Sequence, residues 1–160
     1  MAADLEDTLY LDVPAGRVVI EMRPDLAPGH CAHIKALARR GFYDGIVFHR
    51  VIDGFMAQTG DPTGTGSGGS GQRLNAEFND EPHVRGTLSM ARTSDPNSAD
   101  SQFFICFADA RFLDRQYTVW GKVVSGMEHV DAIKKGSQSN NGAVTNPDAI
   151  VKMQVAADAA

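Results

Sequence analysis

Cysteine is scarce in this chain, two in 160 residues, and there is neither a long apolar run nor a block of like charge. Each shortage removes a class of protein. Cys31, in a segment with helical signals, and Cys106, inside the apolar run Phe103 to Phe107, form neither a disulfide framework nor a zinc cluster, so two free thiols in a reducing compartment are expected. No stretch approaches the roughly 20 apolar residues of a membrane-spanning helix. The acidic opening Met1-Ala2-Ala3-Asp4-Leu5-Glu6-Asp7 also lacks the basic-then-apolar order of a secretory signal, so a cytoplasmic location without membrane contact is expected. Basic residues number 15 against 20 acidic ones, a formal net charge of -5, which argues against general nucleic-acid binding because phosphate neutralisation needs a basic surplus on one face. Disorder is not indicated either. Hydrophobic residues make up 42% and charged ones 22%, ordinary globular values, and the length fits one domain over 1–160 with a substantial core.

What is present centres on Phe48-His49-Arg50-Val51-Ile52-Asp53-Gly54-Phe55-Met56-Ala57-Gln58, which reads as an antiparallel hairpin. A two-residue loop of Asp53-Gly54 would set Arg50 against Ala57 and send Met56 and Gln58 to the opposite face. A three-residue loop of Asp53, Gly54 and Phe55 instead sets Ile52 against Met56 and Arg50 against Gln58, with Gly54 free to adopt the angles closure needs. The second register is preferred, because it gives Arg50 a neutral carbonyl that holds a guanidinium without neutralising it, beside a thioether and a ring.

Around this hairpin the chain is rich in strands. Thr8 to Val13 and Arg17 to Met22 flank a turn at Pro14-Ala15-Gly16, and Pro24 to Pro28 opens a helix with Ile34, Leu37 and Ala38 inward and a stop at Gly41. Asn75 to Arg85 suggests a short strand leading into a loop. Gly86 to Ala91 and Gln102 to Phe107 read as strands separated by the turn Ser94 to Ser98, and alternation puts Gln102 and Phe104 on one face with Phe103 and Ile105 on the core side. Arg111 to Tyr117 is a polar loop carrying three large apolar side chains. Val119 to Val124 suggests a strand, Met127 to Lys134 a second helix with Met127, Val130 and Ile133 inward, Gly136 to Asn146 a flexible surface loop, and Ala149 to Ala156 a last strand. Strands first and last with two separated helices exclude a regular βαβ repeat and favour an antiparallel barrel.

Two motifs suggest other chemistry and fail on context. His30 and His33 lie one helical turn apart, yet no second Cys/His cluster supplies the remaining ligands of a metal site, so packing at the surface or boundary is expected and no metal. Cys31 next to His30 is no nucleophile and base pair, since adjacent helical residues do not face each other. Within the loop Gly60 to Gly71, Gly66, Gly68 and Gly71 match the spacing of a dinucleotide fingerprint, but no strand leads directly in and no helix follows to receive a pyrophosphate.

Phe48 to Asp61, Ser101-Gln102-Phe103-Phe104-Ile105 and Val119-Trp120-Gly121-Lys122-Val123, in this order and spacing, resemble the cyclophilins, which are peptidyl-prolyl cis-trans isomerases. The resemblance runs from about Thr8 to the last strand, and the longer glycine-rich loop is similar to that of bacterial members. It implies a mainly β fold: a closed eight-stranded antiparallel β-barrel with two helices covering its ends and a substrate groove outside, bordered by the glycine-rich loop. Catalysis would use Arg50, oriented by Gln58. Substrate would be bound by Phe55, Met56, Ala91, Arg92, Gln102, Phe104, Phe112, Leu113 and Tyr117. No cofactor is implied. Partners would be proline-containing peptides and unfolded or folding proteins, and a monomer is expected. The sequence departs from the best-known eukaryotic pattern at Phe112, where many relatives have Trp, at Tyr117, where many have His, and at Arg92, where many have Asn. The first predicts weakened binding of cyclosporin, and the third puts charge beside the groove. Two rival functions are a proline-binding scaffold with negligible turnover and a cysteine hydrolase built on Cys31 and a histidine.

Overall fold

A computed structural model describes residues 5–137, 139 and 141–159. The first four residues of the acidic opening, two positions of the loop expected over Gly136 to Asn146, and the last residue of the expected 1–160 domain lie outside the described residues. Alternating burial organises the first hairpin. In β1 (Thr8–Val13) and β2 (Gly16–Met22), Leu9, Leu11 and Val13 point inward beside Val18, Ile20 and Met22, and pairing runs from Thr8 against Glu21 to Val13 against Gly16. The helix α1 (Pro28–Arg39) begins with proline in its first turn, where no amide hydrogen is needed. It buries Ile34, Leu37 and Ala38 and ends where Gly41 takes a φ of 71°.

The remaining elements are β3 (Arg50–Ile52), β4 (Met56–Thr59), β5 (Thr87–Met90), β6 (Phe103–Cys106), β7 (Val119–Ser125), α2 (Met127–Asp131) and β8 (Lys152–Val155). The eight strands form one sheet in the order β3-β4-β6-β5-β7-β2-β1-β8, with every pairing antiparallel. α1 packs against β8 and α2 against β2. The central hairpin adopts the three-residue loop, pairing Arg50 with Gln58 and Ile52 with Met56, and Gly54 turns the chain at φ 76°.

Alternation divides the sheet into two apolar faces. Ala57, Phe103 and Ile105 join Trp120, Phe48 and the α1 stripe in the main core, whereas Met56, Phe104 and Cys106 turn to the other face with Ala110. Against that second cluster pack Phe55, Ala91, Leu113 and Tyr117. The side-chain assignment expected for Gln102 to Ile105 is therefore the one adopted, and the site lies outside the sheet.

Four expectations need correction. Asn75 to Arg85 forms no strand, and its neighbour Leu74 makes only an isolated bridge to Ala99. Side chains replace the ladder there: the Glu77 carboxylate accepts from the amides of Gly29 and His30 at the start of α1, and Asn79 donates to the Val119 carbonyl. α2 stops at Asp131 rather than Lys134, because the chain turns so that the Lys134 amide donates to Asp148, although Val130 and Ile133 are buried as expected. β8 begins at Lys152, since residues 149–151 pass from one partner to another: Ile150 donates to the Ile46 carbonyl and Val151 to that of Asp12. His30 is not at the surface. It is buried with Nε2 2.8 Å from the Asn75 carbonyl oxygen, and burial lowers its pKa.

Candidate active site

Arg50 stands on the first residue of β3, half-buried, with its guanidinium held from two sides. On the strand side, Nη1 donates to Gln58 Oε1 at 3.2 Å, as the cross-strand register requires. On the other side, Nε donates to the Asn141 carbonyl oxygen at 3.0 Å and Nη2 to Asn141 Oδ1 at 3.2 Å. The loop that carries Asn141 reads from the sequence as a flexible surface loop over Gly136 to Asn146. Instead it lies along β3, where the Val51 amide donates to Gly142, the Gly136 amide to Val51 and the Val144 amide to His49. Asn141 itself sits at φ 56°, a left-handed angle that asparagine tolerates better than most residues. Gly142 follows at φ 80°, where a Cβ would come within 2.5 Å of Ile52, so the loop approaches β3 this closely only without a side chain.

The amide chain behind Arg50 has a fixed polarity. A guanidinium only donates, so Gln58 must present its oxygen to Arg50 and its nitrogen onward. Gln58 Nε2 donates to Gln102 Oε1 at 2.9 Å, and Gln102 Nε2 donates in turn to the carbonyls of Gly66 and Gly68 at 2.9 and 3.0 Å. The glycine-rich loop thus anchors the far end of the relay. It is held in turn by Asp61, which accepts from the amides of Thr63, Thr65 and Gly66. Burial alone would raise the Asp61 carboxyl, but the donors of Thr63, Gly68 and Gly66 outweigh it and hold it well below the ordinary range. Those amides surround the chain's own carboxylate, which is a physical reason why the glycine spacing does not make a phosphate cradle.

Arg50, Phe55, Met56, Gln58, Ala91, Arg92, Phe104, Leu113 and Tyr117 line one pocket of about 140 Å³. Gln102 instead lines a second, adjoining pocket of about 360 Å³, together with Gly66 to Gly69, and the two pockets share Gln58, Ala91 and Arg92. Phe112 is brought to neither wall. It is 68% exposed at the rim, its ring 5.6 Å from that of Phe55.

His83 and Asp114 carried no legible signal, yet they fix the wall formed by Arg111 to Tyr117. Asp114 Oδ1 accepts from the His83 amide at 2.7 Å and lies 3.1 Å from His83 Nδ1, while His83 Nε2 lies 2.9 Å from Ser89 Oγ. An ionised carboxylate only accepts, so the proton of the neutral ring sits on Nδ1 and Nε2 is an acceptor facing the serine hydroxyl, which also lies 3.1 Å from the Thr118 carbonyl oxygen. Burial lowers the His83 pKa against the pull of Asp114, and the Asp114 carboxyl, which burial would raise, is brought down to about 2 by Arg111 and His83. These contacts have the order of a hydrolase triad, but Ser89 and His83 are fully buried behind Phe104, whose ring lies 6.1 Å from the imidazole. No substrate bond can reach that hydroxyl. Cys31 and Cys106 are buried free thiols, both raised to about 12 chiefly by desolvation, which is the opposite of an activated nucleophile. Among the described residues, no three His, Cys, Asp or Glu side chains gather in a metal-holding group.

A guanidinium held on neutral oxygens stands at the wall of a small pocket of mixed polar and apolar lining, outside an eight-stranded antiparallel sheet. Comparison with known proteins gives that site its class. Residues 8–155 match the cyclophilin type peptidyl-prolyl cis-trans isomerase/CLD family. A probable peptidyl-prolyl cis-trans isomerase from Brucella suis is 57% identical over 98% of this chain and 86% of its own length. A cyclophilin crystal structure from Hirschia baltica superposes with a TM-score of 0.89 at 29% identity, covering 100% of this chain and 77% of the other. A cyclophilin type isomerase from Cryptosporidium parvum, crystallised in the presence of the dipeptide Ala-Pro, superposes at 0.85 with 30% identity, covering 92% and 98%. The chain belongs to the cyclophilin-type peptidyl-prolyl cis-trans isomerases. Among the described residues, no helix is long and apolar enough to cross a membrane.

Proposed function

We propose that this chain binds proline-containing segments of peptides and folding proteins and speeds rotation about the Xaa-Pro bond, with Arg50 as the catalytic donor. The supporting observation is the position of the Arg50 guanidinium, held by Gln58 and Asn141 at the wall of a pocket to which Phe55, Met56, Phe104, Leu113 and Tyr117 contribute apolar side chains. At about 140 Å³ this pocket is small beside ordinary ligand sites, which suits one ring rather than an extended ligand.

The chemistry follows from the amide. Rotation about a peptide C–N bond faces a barrier of about 18–20 kcal/mol, because twisting destroys resonance. At the perpendicular geometry the proline nitrogen turns pyramidal and its lone pair localises, so a donor aimed at that nitrogen stabilises the twisted state more than either planar one. Arg50 fits this task. It transfers no proton and has three of its five N–H groups engaged on neutral acceptors, which fix its plane and leave its charge intact. In this reading the proline ring rests on Phe104 and Met56, Ala91 and Arg92 line the path of the peptide, Gln102 holds Gln58, and Phe112 covers the ring from the rim. No covalent intermediate is formed.

We further infer that residues 1–160 form one domain and that the sheet closes as a barrel. Closure is supported by the bridge between Val47 and Ala149 and by the Phe48 amide donating to the Asp148 carbonyl, which join the segments leading into β3 and β8. The buried, unpaired thiols support residence in a reducing compartment such as the cytoplasm.

The test is an isomerisation assay on a short Xaa-Pro peptide with the wild type and Arg50→Ala. The variant is expected to keep its fold and lose at least about tenfold in kcat/KM, about 1.4 kcal/mol of transition-state stabilisation. Peptide binding without turnover by the wild type would establish the scaffold instead, and full activity in Arg50→Ala would refute the assignment of the donor.

A further inference from the structure

We propose that, among proline-containing peptides, this chain selects those with an Asp or Glu side chain within two residues of the proline, and that Arg92 selects them. The proposal rests on the isomerase reading above and names the substrate class of that same site. Arg92 lines both the proline pocket and the larger pocket beside it, so a side chain passing from one to the other crosses its guanidinium. That group is already immobilised. Nε and Nη2 donate to the Gln116 carbonyl at 3.1 and 2.7 Å, Nη1 donates to the Thr93 carbonyl at 2.9 Å, and the Tyr117 ring lies 4.5 Å from the guanidinium carbon.

All these partners are neutral, so the positive charge is undiminished. Elsewhere in this acidic protein, guanidinium groups grip carboxylates: Arg17 holds Asp12, Arg23 Asp25, Arg39 Asp158, Arg85 Asp131 and Arg115 Asp80. Among the described residues, Arg40, Arg50 and Arg92 have no such pair within 4.0 Å, and of these Arg50 and Arg92 stand at the groove. The carboxylate in the larger pocket, Asp100, does not cancel the charge of Arg92. It is turned to the amides of Ser70 and Gly71 at 3.1 and 2.9 Å and lies 3.5 Å from His33. An incoming carboxylate therefore meets a fixed cation with two N–H groups unspent, and pays little ordering entropy on the protein side. An incoming ammonium is repelled by the same group.

With water between them, a carboxylate about 6 Å from the guanidinium gains about threefold in association and a lysine loses about as much, so Glu exceeds Lys by about tenfold at low salt. The experiment measures kcat/KM on one Xaa-Pro peptide carrying Glu, Gln or Lys in turn at each of the two positions on either side. At one flank the Glu-to-Lys ratio is expected to reach about tenfold and to shrink severalfold at about 0.5 M salt. In Arg92→Gln the ratio is expected to fall to about twofold, whatever happens to the overall rate, because loosening of the Arg111 to Tyr117 loop cancels in a ratio. Equal values for Glu, Gln and Lys at all four positions overturn the proposal, as does a ratio that persists in Arg92→Gln or collapses only when the other arginine lining the larger pocket is changed, in Arg73→Gln. Absence of turnover on every peptide overturns the isomerase reading itself.

Discussion

Asn141 supplies two of the three acceptors that hold Arg50, and replacing it separates the position of the guanidinium from its charge. Asn141→Gly is the informative change, because glycine accepts the φ of 56° without strain and keeps the backbone carbonyl that binds Nε while removing Oδ1. Alanine would add about 1–2 kcal/mol of left-handed strain and confuse the two effects. A hydrogen bond to a charged group contributes about 1.5–3 kcal/mol where water is excluded, and Arg50 is half-exposed, so about 1 kcal/mol is expected here. That is about fivefold in kcat/KM, carried mainly by kcat, since the ring-binding side chains are untouched. Asn141→Asp is the companion. It preserves the backbone preference and the acceptor but adds a carboxylate that pairs with Arg50, so it is expected to lose at least as much despite better anchoring. Gly142→Ala acts through the backbone, because the added Cβ at φ 80° meets Ile52 and drives the loop off β3. The assay is isomerisation kinetics on one peptide, with thermal unfolding as a check on the fold. Activity within twofold of wild type in Asn141→Gly would show that Gln58 alone positions the guanidinium.

Phe112→Trp is expected to tighten cyclosporin about tenfold or more, because an indole N–H at this exposed rim can meet a ligand carbonyl that phenylalanine leaves unpaired, while peptide turnover changes less than threefold. Equal inhibition constants would show that the rim residue takes no part. Thiol alkylation under native conditions is expected to be slow and to leave activity intact, since both cysteines are buried with pKa values near 12; rapid inactivation by a thiol reagent would reopen the hydrolase reading. Stability should depend on pH through buried imidazoles. His83, like His30, has a folded pKa depressed below its ordinary 6.5, so its contribution is full above that value and is lost as pH falls through 6.5 towards the folded value. Urea midpoints should drop between pH 7.5 and 5.5, less steeply in His83→Gln, with a further loss as Asp114 protonates between about 4 and about 2. A midpoint that does not move over the first interval would contradict the neutral, Asp114-bound ring.

The difference between what the sequence makes legible and what it hides follows from the range of the interactions. Arg50 and Gln58 are eight residues apart on one hairpin, and loop length alone decides whether they meet, so a choice between two registers sufficed to predict the contact. The inward set Phe103 and Ile105 and the outward set Gln102 and Phe104 follow from the two-residue period of a strand. Asn141 lies 91 residues from Arg50 in a loop with no period, and nothing local marks it as a ligand of a guanidinium. His83 and Asp114 are hidden for a related reason. Both belong to irregular segments whose backbone groups are satisfied by side chains, and the strand mistakenly read over Asn75 to Arg85 was an apolar residue among turn formers, without a partner strand to pair with. One trace was available. Asn141-Gly142 is a dipeptide that favours left-handed backbone angles, and such a pair in a long loop marks a tight reversal. A reversal that brings a carbonyl and a side-chain oxygen to the same point is a natural partner for a fork of N–H donors. The donor side of this site is therefore encoded by strand register, and two of the three acceptors that hold it are encoded by a loop signal that survives without periodicity, a pair of residues able to turn left.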